Sequence, residues 1–118
     1  MVDIFKALSE ESRLRILSLL LNGELCVCEI EACLMLTQSN ASRHLTTLKR
    51  SGILESYKNA QWTYYRISGL FIQKNQGLWE YLEPKLRELP TYLTDREAYR
   101  ACKEQDLCNC NSNPHEKE

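Results

Sequence analysis

The spacing of apolar residues changes from helical to strand-like at Gly52, and this change constrains the fold most. Over residues 41–48 the apolar side chains recur every three or four positions, as on the buried face of a helix. The segments 53–57 and 62–67 that follow are rich in β-branched and aromatic residues, and the polar stretch 58–61 separates them. We therefore predict a helix that leads directly into a β-hairpin.

Two more helices are predicted before this one. Ser9 is expected to cap the first, and Gly23 ends it. A short second helix is predicted over 27–36, and the third begins after a cap at Thr37 or Ser39. Two short helices followed by a hairpin are the elements of a winged helix-turn-helix, so the predicted fold class is mainly α with a β-hairpin wing (α+β).

The segment after the hairpin returns to helical spacing. One helix is predicted over 70–89, with a possible kink at Pro84. Thr94 and Glu97 have the spacing of a capping box, which predicts a last short helix through Lys103.

The domain prediction is one DNA-binding and dimerisation domain over 1–103 and a flexible, cysteine-containing tail over 104–118, where the sequence is polar and lacks apolar periodicity. No apolar run approaches the roughly 20 residues of a membrane span, and no export signal is recognisable. We expect no membrane partner and a cytoplasmic location.

The charge distribution indicates nucleic acid as a partner. The net charge is -1, yet residues 37–66 carry five basic side chains and one acidic side chain. The third helix is also polar over 38–47, where Gln and Asn suit adenine and Arg suits guanine. Lys58 at the wing tip suits a phosphate contact. A solvated face without a binding role fits the same composition.

The cysteines are clustered. The six lie at positions 26, 28, 33, 102, 108 and 110. In a reducing compartment such clusters indicate binding of a soft metal or metalloid, or redox chemistry. In a regular helix side chains at i and i+2 point about 200° apart. We therefore expect the sulfurs of Cys26 and Cys28 to converge only if the helix start deforms, so that ligand binding unwinds it.

The stretches "ELCVCEI", "TQSNASRHLTTLKRSGIL" and "WTYYRIS" together resemble the arsenic-responsive branch of the ArsR/SmtB repressors, over about the first seventy residues. The resemblance implies a homodimeric winged-helix repressor that leaves double-stranded operator DNA when As(III) or Sb(III) binds two or three cysteine sulfurs. Cys26 and Cys28 match the family's C-V-C pair, whereas Glu31 stands where its third cysteine falls. The segment 70–89 contains no histidine, which argues against the family's zinc-responsive type.

The resemblance also implies which residues contact DNA and where the protein dimerises. The operator-contacting positions carried over from the family are Gln38, Ser39, Ser42, Arg43 and His44. The implied dimer seam combines the segment 70–89 with Ile4, Phe5 and Leu8.

The third ligand and the function class stay open at this point. Cys33 is a candidate ligand, but it shares an apolar helix face with Ile30 and equally fits the core. Cys102, Cys108 and Cys110 are the other candidates, for a third sulfur or for a separate site. A redox-sensing repressor is the nearest alternative function. A metal chaperone would leave the polar helix face unused, and a thiol enzyme would need an anion-binding loop that no cysteine has around it.

Overall fold

The computed structural model describes residues 1–105. This part of the chain folds into seven helices and one three-stranded antiparallel sheet. In chain order the elements are α1 (Val2–Leu8), α2 (Glu11–Leu20), β1 (Leu25–Cys26), α3 (Val27–Leu34), α4 (Gln38–Arg50), β2 (Leu54–Asn59), β3 (Trp62–Ile67), α5 (Gly69–Lys74), α6 (Gln76–Arg87) and α7 (Tyr92–Gln105).

Helix α2 lies in the centre of the core and begins one residue later than a cap at Ser9 would place it. Its cap is Glu10, whose carboxylate accepts the backbone N–H of Ser12 at 3.1 Å. Ser9 instead ends α1, and its hydroxyl donates to the carbonyl of Lys6 at 2.7 Å. The predicted Ser9 cap was therefore wrong, because the short helix α1 occupies the residues before it.

The helix pair α3 and α4 has the predicted order. Met35 ends α3 in the left-handed conformation (φ 55°), and this reverses the chain. Thr37 caps α4 by accepting the N–H of Asn40 at 3.2 Å, as one of the two predicted caps. The apolar face of α4, including Leu45 and Leu48, is fully buried.

The sheet has the order β1-β3-β2, and the hairpin β2–β3 confirms the predicted wing. Its turn contains Ala60 at φ 59°. Strand β1 was not predicted, because two residues are too few to show an alternating pattern. It pairs Cys26 opposite Tyr64 of β3, and this pairing joins the wing to the start of α3.

The predicted helix over 70–89 is in fact two helices. Asn75 leaves the helical region (φ −130°, ψ 48°), and its side-chain amide donates to the carbonyl of Phe71 at 3.0 Å. Pro84 lies inside α6 without ending it. Because Pro84 is on the exposed side of the helix, water can reach the carbonyl that loses its hydrogen bond there.

Helix α7 begins at Tyr92, so Thr94 lies in its first turn and the predicted capping box was wrong. The next residue, Asp95, is buried and accepts two hydrogen bonds from the Arg15 guanidinium, at 2.8 and 3.1 Å. This ion pair fixes α7 against α2. The helix continues to Gln105, two residues past the predicted end.

The tail predicted over 104–118 falls almost entirely outside the described residues, as do Cys108 and Cys110. The two-part division of the chain therefore stays a prediction. Within residues 1–105, no helix combines the length and the apolar character that crossing a bilayer requires.

Candidate functional site

The thiols of Cys26 and Cys28 meet at the start of α3. Their Sγ atoms are 3.1 Å apart. Cys26 is the residue before the first helical position and has extended backbone angles (φ −81°, ψ 165°), whereas Cys28 lies in the first turn. The expectation that the sulfurs diverge was wrong, because it placed both residues in one regular helix. Their convergence needs no unwinding of α3, so the proposed competition between ligand and helix loses its premise.

A buried charge pair holds the start of α3. The Glu29 carboxylate is fully buried and accepts the backbone N–H of Cys26 at 3.0 Å. Its other oxygen lies 3.8 Å from the Lys103 ammonium of α7. The backbone of Cys26 is thus fixed by a side chain that is itself paired with the last helix, and this fixes the thiol pair in the folded protein.

The thiol pair opens into a surface cleft of about 240 Å³. Glu31 of α3 lines the cleft, as do the first residue of α4, Gln38, and the wing residues Gln61, Trp62 and Thr63. The cleft therefore joins the thiols to the start of α4 and to the wing.

The sequence favours a place for Trp62 in the hairpin core and a phosphate contact for Gln61 at the wing tip, and it predicts neither residue beside the thiols. The sequence drew attention to Glu31 because it stands where the family's third cysteine falls. The meeting of α3, α4 and β3 is a tertiary feature that periodicity does not report.

Cys33 and Cys102 lie away from this cleft, in the main hydrophobic core. The Cys33 Sγ faces the carbonyl of Ala98 in α7 at 3.5 Å. Cys102 is fully buried on α7, within the last helix that the sequence predicts through Lys103. In the part of the chain that the structure describes, no three His, Cys, Asp or Glu side chains are grouped to hold a metal ion. Cys33 as a ligand stays a prediction.

The predicted DNA-reading side chains are exposed, with one exception. Gln38, Ser39, Ser42 and Arg43 project from α4 into solvent, and Lys58 is exposed near the wing tip. The Arg43 guanidinium donates to the Asn40 side-chain oxygen at 3.2 Å.

The exception is His44, which is only 4% exposed, so its predicted place on the solvent face was wrong. Its Nδ1 lies 3.3 Å from the Arg13 guanidinium and 3.3 Å from the Glu10 carboxylate. Burial lowers the pKa of His44 below its ordinary value, although Glu10 acts in the opposite direction. A neutral imidazole that accepts a hydrogen bond from the Arg13 guanidinium is consistent with the lowered pKa and with the 3.3 Å contact. His44 therefore contacts α2 from α4, and its role in DNA binding stays a prediction.

Comparison with known proteins now decides the family. Residues 10–56 match the family described as "Bacterial regulatory protein, arsR family". A solved homodimeric winged helix-turn-helix DNA-binding domain from Mycobacterium bovis, described as a possible ArsR-family transcriptional regulator, is 30% identical with a TM-score of 0.60, over 75% of this chain and 83% of that one. The chain belongs to the ArsR family.

ArsR-family relatives with assigned names are similar over part of their length. The "Arsenic resistance transcriptional regulator ArsR2" of Pseudomonas putida is 45% identical over 67 residues, which are 56% of this chain and 58% of that protein. The "Arsenical resistance operon repressor" of Escherichia coli K12 is 44% identical over 68 residues, 57% of this chain and 58% of that protein. The chain thus spans less than two thirds of these relatives. It belongs to the ArsR family and has a winged helix-turn-helix fold.

Proposed function

We propose that this chain is a metalloid-responsive repressor. In this proposal it binds operator DNA as a homodimer and is released when As(III) or Sb(III) binds the thiolates of Cys26 and Cys28. The observation that carries the proposal is the contact of the two sulfurs, 3.1 Å apart, in a cleft shared with the recognition helix and the wing. Relatives named for arsenic resistance support the choice of ligand.

Thiolates suit these ions because soft ligands prefer soft, thiophilic ions. Cys26 and Cys28 are already side by side, so a bridging atom binds without reorganising the backbone. Both residues also lie at the amino end of a helix.

The DNA side of the proposal rests on the exposed face of α4. In a winged helix-turn-helix the second helix of the pair enters the major groove, and its first residues contact base edges. Gln38, Ser39, Ser42 and Arg43 occupy this part of α4. Lys58 is exposed on the wing, and in this proposal it contacts a phosphate of the DNA backbone.

Release follows from the shared walls of the cleft. An arsenic atom on the two sulfurs lies beside Gln38 at the start of the recognition helix and beside Gln61 and Trp62 of the wing. Its remaining substituent occupies space between these elements, so the recognition helix and the wing no longer fit the DNA together. A coupling of about 1–3 kcal/mol between the two sites weakens DNA binding roughly 5–150-fold.

The homodimer is supported by exposed apolar side chains on the terminal helices. Phe5 of α1 is 53% exposed, Tyr81 of α6 65% and Leu93 of α7 65%. Large exposed apolar side chains, when they form one patch, are typical of an interaction surface. Two copies joined in this way would present two recognition helices to successive major grooves. Of the predicted seam, Phe5 is exposed while Ile4 and Leu8 pack partly on the core.

The experiment is a titration of the protein–DNA complex with arsenite, followed by fluorescence anisotropy of labelled DNA selected by the protein from a random pool. Release that is lost in Cys28→Ser and kept in Cys33→Ser supports the proposal. Release by peroxide and not by arsenite would favour the redox-sensing alternative. A complex that survives both agents contradicts the proposed ligand response.

A further inference from the structure

A groove between α1 and the last turn of α4 lies outside the surface that the proposed function assigns to DNA. It has a volume of about 250 Å³ and is lined by Asp3 and Lys6 of α1 and by Thr47, Arg50 and Ser51 at the end of α4. The hydroxyl groups of Thr47 and Ser51 donate to backbone carbonyls of α4 at 3.0 and 2.8 Å. The donors that an anion can engage in this groove are therefore the Lys6 ammonium and the Arg50 guanidinium.

The protein itself does not neutralise these two cations. Both side chains are exposed, and among residues 1–105 neither has a carboxylate oxygen within 4.0 Å, Asp3 included. Five other arginines of the chain do form ion pairs, for example Arg66 with Glu55. Two unpaired cations on one groove produce a positive potential that attracts an anion.

The groove continues the face of α4 that carries Arg43. Arg43, Thr47 and Arg50 occupy positions i, i+4 and i+7, which lie on one side of a helix. A rise of 1.5 Å per residue places Arg50 about 10 Å beyond Arg43 along the helix axis. The major groove of B-DNA is about 8.5 Å deep, and a recognition helix enters it with its first residues. When Arg43 reaches a base edge, Arg50 is therefore at the level of the sugar–phosphate backbone.

The charge of the groove matches one DNA phosphate. Lys6 and Arg50 contribute two positive charges and Asp3 one negative charge, so the groove has a net charge of +1. Each phosphodiester of DNA carries a single negative charge. A phosphate monoester is closer to doubly charged at neutral pH and would leave the groove with excess negative charge. The charge balance therefore favours the DNA backbone over a free phosphate compound.

We propose that Lys6 and Arg50 together bind one phosphate of the DNA backbone beside the bases that α4 reads. This inference rests on the proposed function, because it adds a contact to the same DNA complex. It also brings α1 into the DNA interface, although α1 precedes the helix-turn-helix in the chain. Phosphate contacts carry no sequence information and instead fix the register and orientation of a protein on the duplex. Lys6 and Arg50 thus set how α4 lies in the major groove.

The first test measures DNA affinity against salt, without arsenite. Lys6→Gln and Arg50→Gln are compared with wild type by anisotropy of labelled selected DNA at about 50 to 200 mM salt. Each variant should lower the slope of log K against log salt by about 1 per bound chain, so its affinity deficit shrinks about fourfold over this range. Selected and unrelated DNA should lose the same factor.

Two further variants give this test a control and an opposite sign. Lys85 on α6 is exposed and pairs with Glu88 at 3.7 Å, so Lys85→Gln removes the same charge elsewhere and should leave the salt slope unchanged. Asp3→Asn removes the negative charge beside the bound phosphate and should tighten DNA binding severalfold. Weaker binding by Asp3→Asn would contradict the proposed position of the phosphate.

The second test locates the contact on the DNA. Each phosphate of the selected duplex is replaced in turn by an uncharged methylphosphonate. For wild type, one position per half-site beside the bases read by α4 should weaken binding, and this position should have no effect in the Lys6→Gln/Arg50→Gln double variant. The position contacted by Lys58 should keep its effect in both proteins, because non-additivity identifies only groups in direct contact.

Three results would overturn the inference while leaving the arsenite response intact. In the first, no methylphosphonate position loses its effect in the double variant. In the second, the double variant is less stable in urea but keeps its salt slope, which would assign Arg50 to the dipole of α4, since cations stabilise the last turn of a helix. In the third, inorganic phosphate displaces DNA from wild type, and not from the double variant, beyond its effect on ionic strength, which would identify a site for a free anion.

The proposed function fails in a different way. Because both tests are made without arsenite, a complex that arsenite does not release contradicts the ligand response and leaves the phosphate contact standing. A wild-type chain that binds no DNA contradicts the proposed function and this inference together.

Discussion

Helix α3 carries thiols in two settings that differ completely. At its start, Cys26 and Cys28 face each other at 3.1 Å beside an open cleft. Near its end, Cys33 packs in the core against the Ala98 carbonyl of α7. The residue type and the helix are the same. What differs is the position relative to the first helical residue, so spacing in the sequence alone does not identify a ligand.

The backbone explains the difference. Cys26 lies outside the helix in extended conformation, and this turns its side chain toward Cys28. Cys33 lies inside the helix, on the face that packs against α7. We therefore expect substitutions on the cleft side to change the ligand response and substitutions on the packing side to change stability.

The largest effect is expected on the packing side, from Asp95→Ala. It leaves Arg15 without the carboxylate that binds it at 2.8 Å and should lower the free energy of unfolding by about 3 kcal/mol. Urea unfolding measures this. The half-maximal arsenical concentration of the folded protein should not change.

Glu97→Ala on the same helix is the control. Its pairing with Arg100 at 3.6 Å is exposed, so its loss should cost less than about 1 kcal/mol. Equal losses in the two variants would contradict the assignment of Asp95 to the packing between α2 and α7.

The next effect is expected on the cleft side. Cys28→Ser should raise the arsenical concentration needed for half-maximal binding at least about 100-fold, because one of two As–S bonds is lost. Cys28 is half-buried, so serine is tolerated there. Cys33→Ser should leave binding unchanged and lower stability instead. A reversed pattern, measured by Trp62 fluorescence and urea unfolding, would show that the roles of the two regions are exchanged.

The sequence predicted the elements that local patterns determine. The helix pair, the cap at Thr37 and the strand Trp62–Ile67 were all readable from spacing and turn residues. What it missed depends on tertiary contacts. His44 looked exposed because it follows Arg43 in a polar helix, yet Arg13 and Glu10 approach it from α2. Strand β1 exists only through its pairing with β3.

On the DNA side, Arg43→Ala should weaken binding by about 1–3 kcal/mol, the range for a side chain that pairs with a base. Lys58→Ala should weaken all sequences alike and lower the slope of log K against log salt by about 1. Arg66→Ala is the comparison variant. Arg66 is paired with Glu55 and Glu24 on the wing, so a smaller effect is expected. Anisotropy titrations at several salt concentrations measure all three.

The smallest effect concerns pH and His44. Because burial lowers the pKa of His44 in the folded protein, the unfolded chain binds the proton more tightly. Stability contributed by neutral His44 is therefore present above pH 6.5 and is lost as pH falls below that value. In His44→Gln, whose amide can still accept from Arg13, the slope of unfolding free energy against pH should be shallower in this window. If the slope of unfolding free energy against pH is the same in His44→Gln, His44 is not the cause of that slope.

The most direct test of the central claim compares arsenical binding with and without DNA. If the thiol cleft and the DNA-reading surface share walls, each ligand must weaken the other by the same factor. Arsenite titrations of the Trp79→Phe protein, in which Trp62 is the only tryptophan, measure this factor by Trp62 fluorescence, with the protein free and saturated with selected DNA. We predict a higher half-maximal concentration in the DNA complex, matching the loss of DNA affinity that the arsenical causes. The same concentration in both states would contradict the claim.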